Sequence, residues 1–132
     1  MTTGLEPRQI ESLRDSLQAR ARELREEIRQ VLLRSESEHY VQIADDVRDL
    51  EDESFADLMV DVSLAEIDRD LDELRAIEAA LGRVRDGSYG SCEACGRPID
   101  GIRLVAAPEA VRCIDCQSLY ERTHFQKYGH TL

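Results

Sequence analysis

The sequence predicts a mainly α-helical protein in which an antiparallel coiled-coil hairpin projects from a small four-cysteine globule that ends in a helix. Three observations support this prediction. Two long segments carry apolar residues at helical spacing, a strongly acidic segment connects them, and four cysteines form two closely spaced pairs near the C-terminus. We therefore divide the chain after residue 87, with the hairpin in 1–87 and the cysteine module with its helix in 88–132.

The first predicted arm runs from about Pro7 to Tyr40. Proline fits the first turn of a helix, where its missing N–H is not needed, and no further proline or glycine interrupts the segment. The apolar residues recur every three or four positions: Ile10, Leu13, Leu17, Ala21, Leu24, Ile28 and Val31. At about 1.5 Å per residue such an arm would extend roughly 50 Å, which favours a projecting hairpin over a compact bundle.

The second predicted arm begins near Val60 and ends at Gly87, where glycine can adopt the left-handed conformation that terminates many helices. Its apolar residues are Val60, Leu64, Ile67, Leu71, Leu74, Leu81 and Val84. Each arm has a narrow apolar face, which needs one partner helix rather than burial on all sides. Two such arms in sequence favour an antiparallel pair.

The connector is the most acidic part of the chain. Residues 45–61 hold eight acidic side chains and one base, Arg48. Acidic residues are also common where a helix begins, because they complement its dipole, and Asp52 or Ser54 could cap the second arm. At the end of a projecting hairpin, the carboxylates could instead enter a cleft and meet a basic residue or a bound metal ion. We therefore predict a functional tip near residues 45–54.

The four cysteines follow the pattern Cys92-x2-Cys95-x17-Cys113-x2-Cys116. Two such pairs suit one tetrahedral Zn²⁺ held by four thiolates, which leaves no open coordination position, so we predict one structural zinc ion. Gly96 supports this prediction, because the tight turn after the second cysteine needs a residue that tolerates positive φ. Two disulfides or a thioredoxin-like redox pair are the alternatives, but neither a secretory signal nor a βαβ pattern accompanies the cysteines.

Composition and charge narrow the functional classes. The net charge of −11 opposes binding to nucleic-acid phosphates, because Lys and Arg supply the affinity there. The N-terminal sequence has no apolar signal segment, and no run approaches the ~20 apolar residues of a membrane span. No nucleophile–base pair and no glycine-rich phosphate loop is recognisable. These features predict a cytoplasmic monomer that is not an enzyme and whose partner is a protein with a basic surface.

The cysteine module resembles the zinc-finger signature of the DksA/TraR family of bacterial transcription factors. The resemblance rests on residues 89–96, which read Tyr-Gly-Ser-Cys-Glu-Ala-Cys-Gly, on residues 113–116, which read Cys-Ile-Asp-Cys, and on the same spacing between the pairs. Arg103, Leu104 and Pro108 also fall where the family has Arg, Leu and Pro. The resemblance covers nearly the whole chain, and the long first arm is typical of DksA-like rather than short TraR-like members.

This resemblance implies a coiled coil that enters the secondary channel of RNA polymerase and brings its tip acids towards the catalytic region, without direct DNA binding. Family members destabilise open promoter complexes, which inhibits ribosomal RNA promoters and helps activate others, a stringent-response type of control. Their Asp-x-x-Asp-x-Ala tip motif corresponds here to Asp49, Asp52 and Ser54. A competing register through Asp46 and Asp49 would make the second arm three residues too long. Arg69 matches a basic position that could contact the polymerase rim.

The resemblance also bears on the alarmone ppGpp, which responsive members bind with basic side chains around the zinc module and the second arm. This chain has Ala76, Ala107 and Gln117 at those positions, and Gln117 replaces the Lys that commonly follows the fourth cysteine. Because pyrophosphate groups are bound largely through Arg and Lys, we expect a weakened ppGpp response. Two other function classes stay open: a zinc-ribbon nucleic-acid binder and a thiol-based redox sensor that loses zinc on oxidation.

Overall fold

The computed structural model of the chain describes residues 5–48, 54–59 and 64–128, and for Ser54, Asp57 and residues 125–128 it describes the backbone alone. The helices in these ranges are α1 Pro7–Arg34, α2 Glu38–Asp46, α3 Ser54–Leu58, α4 Ala65–Asp86, α5 Gly101–Ala106 and α6 Ile114–Tyr128. Among the same residues, β-structure is limited to an isolated bridge between Ser91 and Pro98. The predicted mainly α fold, with its C-terminal helix, is confirmed.

The chain forms two compact units. One combines the N-terminal residues up to Arg14 with the chain from Ala80 onward, and the other is Asp15–Ala79. The predicted division into a hairpin, 1–87, and a cysteine module with its helix, 88–132, stays a prediction. In the part of the chain that the structure describes, no helix is both long enough and apolar enough to cross a membrane.

The unit Asp15–Ala79 contains an antiparallel pair formed by α1 and α4. Arg20 of α1 pairs with Glu73 of α4, and Glu27, later in α1, lies within hydrogen-bonding reach of Asp70, which precedes Glu73 in α4. The two helices therefore run in opposite directions. The apolar side chains that the two helices bury in this unit are Leu17, Ala21, Leu24, Ile28, Leu32, Ile67, Leu71, Leu74 and Ile77. Full burial of one Leu or Ile is worth about 1.5–3 kcal/mol, so this apolar seam dominates the stability of the pair.

The first arm is shorter than predicted. A continuous helix to Tyr40 is wrong, since α1 ends at Arg34 and α2 begins at Glu38. The reason is local: the hydroxyl of Ser37 accepts a hydrogen bond from the Tyr40 N–H at 3.3 Å and caps α2. Serine side chains offer the backbone such alternatives to helical hydrogen bonds. The buried face also differs near this end, where Leu32 rather than Val31 is fully buried.

The second arm begins later than predicted. Val60 lies outside the described residues, and α4 starts at Ala65. Ser54 opens the separate short helix α3, so capping of the second arm by Ser54 is wrong, while Asp52 lies outside the described residues. In α3 and just after it, Phe55, Ala56 and Met59 are buried. The acidic connector therefore also carries apolar residues, and their burial stabilises α3.

The end of the second arm agrees with the prediction in its last residue but not in its buried face. Gly87 has φ +86°, as the helix terminator requires, and the N–H of Ser88 returns to the Arg83 carbonyl at 3.0 Å. Ile77 and Ala80 are buried, whereas the predicted Leu81 and Val84 are only partly buried. Leu74, Ile77 and Ala80 follow one another at steps of three residues, which shifts the buried face around the helix. The predicted step of seven residues from Leu74 to Leu81 does not include this shift.

Candidate metal centre

The four cysteines come together in the unit that contains α5 and α6. Their sulfur atoms all lie within 4.8 Å of one another, and the Sγ atoms of Cys95 and Cys113 are 3.9 Å apart. Four sulfurs at about 2.3 Å from a tetrahedral Zn²⁺ would be about 3.8 Å apart. None of the four forms a disulfide. The predicted ligands Cys92, Cys95, Cys113 and Cys116 therefore fit one zinc ion.

The first cysteine pair sits in a tight turn. The Cys92 N–H donates to the Arg97 carbonyl at 2.8 Å, and the Gly96 N–H donates to the Cys92 carbonyl at 2.9 Å. Gly96 has φ +76°, so its predicted role in the turn is confirmed. Directly outside the turn, the bridge between Ser91 and Pro98 closes the two ends of the segment. This backbone framework points both sulfurs of the pair to one side.

The second pair lies at the start of α6. Cys113 precedes the helix and Cys116 lies in its first turn, and the Gln117 N–H donates to the Cys113 carbonyl at 2.9 Å. The two pairs are joined by the backbone, because the Glu93 N–H donates to the Val111 carbonyl at 2.8 Å. The 17 intervening residues thus fold back onto the first pair.

The ionisation of the thiols also favours a bound cation. Burial alone would raise the pKa of Cys92, but the backbone N–H groups of Cys113, Cys95 and Ala94 face its sulfur and lower the pKa to about 6. The pKa of Cys116 is raised to about 12, because hydrogen bonds to the sulfurs of Cys113 and Cys92 stabilise its protonated thiol. Without a cation the cluster cannot carry four negative charges, and Zn²⁺ would offset them.

Three residues that the sequence had singled out only by resemblance brace this centre. The buried Tyr89 donates its hydroxyl to the Pro108 carbonyl at 2.9 Å, and burial raises the pKa of Tyr89 to about 12. Arg103 Nε donates to the Arg112 carbonyl at 2.9 Å, one residue before the second cysteine pair, and Leu104 is fully buried. The segment between the cysteine pairs is therefore held from two sides.

Sequence reasoning missed Arg112, whose guanidinium contacts Glu93 of the first cysteine turn and Tyr120 of α6. Tyr120 is 38% exposed, and the Arg112 guanidinium lies 3.7 Å from the centroid of its ring. A cation over a ring cannot be found from helical spacing, so the sequence carried no signal for this contact.

Two of the four predicted polymerase-contacting residues lie outside the described structure. Asp49 and Asp52 lie outside the described residues, and Ser54 is known only as the first residue of α3. Arg69 lies on α4 and is exposed. The tip and the contact at Arg69 therefore stay predictions.

Comparison with known proteins addresses the family. The family described as prokaryotic dksA/traR C4-type zinc finger matches residues 87–122. The chain is 34% identical over 117 residues to the RNA polymerase-binding transcription factor DksA of Caulobacter vibrioides, covering 87% of this chain and 78% of that relative. This chain belongs to the DksA/TraR family. The DksA of Escherichia coli K12 is 32% identical over 123 residues, which cover 92% of this chain and 77% of the relative.

Two solved structures are also similar to this chain. Transcription factor DksA2 from Pseudomonas aeruginosa matches with a TM-score of 0.61 at 26% identity, covering 90% of this chain and 88% of that one. The DnaK suppressor protein of Agrobacterium tumefaciens matches with a TM-score of 0.59 at 31% identity, covering 89% of this chain and 99% of that one. Family membership and the sulfur cluster together establish a C4 zinc finger with one structural zinc ion. The two DksA relatives are named as transcription factors, not as enzymes.

Proposed function

We propose that this protein binds RNA polymerase through the secondary channel and changes the stability of open promoter complexes, with inhibition of ribosomal RNA promoters. The observation that carries the proposal is the 34% identity over 78% of a relative named for binding RNA polymerase. The family's four-cysteine module matches as a block at residues 87–122. On this proposal the protein is a regulator without an enzymatic activity of its own.

The charge distribution supports a protein partner rather than DNA. The chain carries a net charge of −11, which repels nucleic-acid phosphates. Eight of its acids fall in residues 45–61, and the two of them that end α2, Asp45 and Asp46, are exposed. A dense group of carboxylates is suited to a channel lined by basic residues, where opposite charges speed the encounter. We assign the contact near the catalytic region to Asp49 and Asp52, and the small neighbouring residue to Ser54.

The helix pair gives the acidic connector a stable base. α1 and α4 bury an apolar seam, and the guanidinium of Arg20 makes two hydrogen bonds to the carboxylate of Glu73, at 2.7 and 3.0 Å. A connector held by two paired helices loses less conformational entropy on binding than a free loop would lose. We further propose that exposed Arg69 on α4 contacts the polymerase.

We propose that ppGpp enhances this protein's activity less than that of a typical DksA. Ala76 and Ala107 carry no charge, and Gln117 already bridges two side chains, accepting from Arg112 and donating to Glu121 at 3.0 Å. The nearby arginines have other partners, since Arg112 pairs with a glutamate at 2.9 Å and Arg103 donates to a backbone carbonyl. Arg103 and Arg112 are thus already engaged within the zinc module, which leaves them less suited to bind a pyrophosphate.

The central experiment measures the lifetime of open complexes at a ribosomal RNA promoter with the zinc-loaded protein. Asp49→Asn with Asp52→Asn should weaken the effect on lifetime while polymerase binding is retained. The control, Asp68→Asn with Asp72→Asn, removes the same charge from exposed positions of α4 and should behave as the wild type. If the tip double variant regulates as well as the wild type, the tip assignment is wrong. If the wild-type protein does not bind polymerase at all, the proposed function fails.

Two further measurements separate the remaining alternatives. A gel shift with promoter DNA and no polymerase should show no complex, and a specific shift would favour the nucleic-acid binder. A ppGpp titration of inhibition should show a smaller enhancement for the wild type than for the variant Ala76→Lys, Ala107→Arg, Gln117→Lys. Equal responses would mean that the missing bases are irrelevant.

A further inference from the structure

One arginine joins three parts of the zinc module that are separate in sequence. The Nη2 atom of Arg112 lies 2.9 Å from the Oε2 atom of Glu93, and its Nη1 donates to the Oε1 atom of Gln117 at 3.4 Å. The guanidinium carbon lies 3.7 Å from the centroid of the Tyr120 ring. The carbonyl of Arg112 accepts the hydrogen bond from Arg103 of α5. Arg112 therefore contacts the first cysteine turn, α5 and α6.

The partners of Arg112 flank the metal ligands. Glu93 lies between the two cysteines of the first pair, and Gln117 and Tyr120 follow the last cysteine on α6. The Arg112 side chain is 20% exposed, against 52% for Glu93, so the cation is the more buried member of the ion pair. A planar guanidinium can donate in its plane and stack through its face at the same time, which the compact ammonium of Lys cannot do.

Apart from the zinc ligand Cys116, the described side chains of α6 offer little apolar burial to hold the helix on the module. Among its residues whose side chains are described, 114–124, none is buried, and Ile114 and Leu119 are 60% and 57% exposed. Tyr120 stacks in turn on His124, with ring centroids 3.7 Å apart. With little apolar burial along these turns, the contacts to Arg112 carry a large share of the orientation of α6 on the module.

We propose that Arg112 is a positioning residue of the zinc centre, which holds the two cysteine pairs and α6 together through its side chain and so prearranges the four thiols for the metal. Zinc binding is favoured because less of the binding free energy is used to order the ligands. The proposal does not depend on binding to RNA polymerase. It concerns the side chain alone, since the backbone link between Glu93 and Val111 is kept in any Arg112 variant.

The test is a zinc competition titration with a chromophoric chelator under reducing conditions. Arg112→Ala is expected to weaken zinc binding about tenfold, which corresponds to about 1.4 kcal/mol. The control Arg122→Ala removes the same charge from an exposed position of α6 and should stay within about twofold. Arg112→Lys keeps the charge near Glu93 but loses the stack on Tyr120, so it should recover only part of the loss.

Hydrogen exchange of the zinc-loaded proteins gives a second readout that does not depend on metal affinity. The amides of residues 117–124 should exchange faster in Arg112→Ala than in the wild type or in Arg122→Ala, while the amides of α1 should not change. Faster exchange confined to α6 would support the role of Arg112 in orienting this helix.

The proposal is overturned if Arg112→Ala binds zinc as tightly as Arg122→Ala, or if Arg112→Lys matches the wild type. Should Arg112→Ala fail to fold, Glu93→Gln and Tyr120→Leu each remove one contact and keep the arginine. Each is then expected to weaken zinc binding about threefold, and wild-type affinity in both would refute the proposal.

Discussion

The ion pair between α1 and α4 allows a quantitative test of how the hairpin is held. Arg20 Nε and Nη2 donate to the two carboxylate oxygens of Glu73 at 2.7 and 3.0 Å, which is a bidentate arrangement. The side chains are 41% and 36% exposed, so solvent screens the pair. Exposed pairs contribute about 0.2–1 kcal/mol, and the bidentate geometry places this one near the upper end, at about 1 kcal/mol.

The measurement is a double-mutant cycle of Arg20→Ala and Glu73→Ala, with the free energy of unfolding taken from urea denaturation followed by circular dichroism. The coupling should be about 1 kcal/mol near pH ~7 at low salt. A matched cycle of Arg20→Ala with Glu23→Ala tests the contact at 3.3 Å within α1. That coupling should be at most about 0.5 kcal/mol, because the contact lies within one helix and is exposed.

The pair also predicts a pH dependence. The hydrogen bonds from Arg20 lower the pKa of Glu73 below its usual range. A lowered pKa in the folded state means that the stabilisation is present above the unfolded pKa of about 4.3 and is lost as the pH falls through the lower folded value. Release of zinc in acid changes the stability of the wild type, the two single variants and the double variant alike, so its contribution cancels in the coupling free energy. A coupling near zero at neutral pH, or one that does not decrease in acid, would refute the reasoning.

Three further predictions concern the zinc module and the helix pair. Cys113→Ser should abolish tight zinc binding, measured by mass spectrometry, and loosen residues 88–117, with little loss of helical signal from α1 and α4. Wild-type protein purified under reducing conditions should hold one zinc ion, and finding two disulfides and no metal in it would contradict the assignment. Tyr89→Phe should lower the free energy of unfolding by about 1–1.5 kcal/mol, because the part-buried hydrogen bond to the Pro108 carbonyl is lost; an unchanged denaturation midpoint would count against it. Asp70 raises the pKa of Glu27, so repulsion destabilises the fold at neutral pH and is relieved in acid. Glu27→Gln should therefore raise the melting temperature at neutral pH and not below the unfolded pKa of glutamate, and no neutral-pH increase would exclude this repulsion.

The helical arms were predicted from spacing, but their ends were not. Apolar residues every three or four positions require one buried face, and Leu17, Leu24 and Leu74 lie on it. The end of α1 depends on Ser37, whose hydroxyl competes for a backbone N–H over a distance of three residues. Spacing patterns carry no information on such a competition, since serine occurs both inside helices and at their caps.

The metal ligands were predictable because the spacing of the cysteines already indicates that their sulfurs can surround one ion. Two residues between cysteines allow both sulfurs of a pair to reach one ion, and the sulfur cluster confirms it. The family follows from the same module. The tip acids Asp49 and Asp52 lie outside the described residues and stay a prediction from the resemblance.

The sequence alone thus determined the two paired helical segments, the cysteine cluster and the family, because each depends on a pattern of residues along the chain. Only the tertiary structure decided the contacts of Arg112 with Glu93 and Tyr120. Glu93 and Arg112 lie on opposite sides of the fold-back between the cysteine pairs, and Tyr120 lies further on, in α6. Such ion pairs and ring contacts produce no periodic pattern in the sequence. Likewise Arg20 and Glu73 are 53 residues apart, and each reads as an ordinary surface charge until α1 and α4 pair.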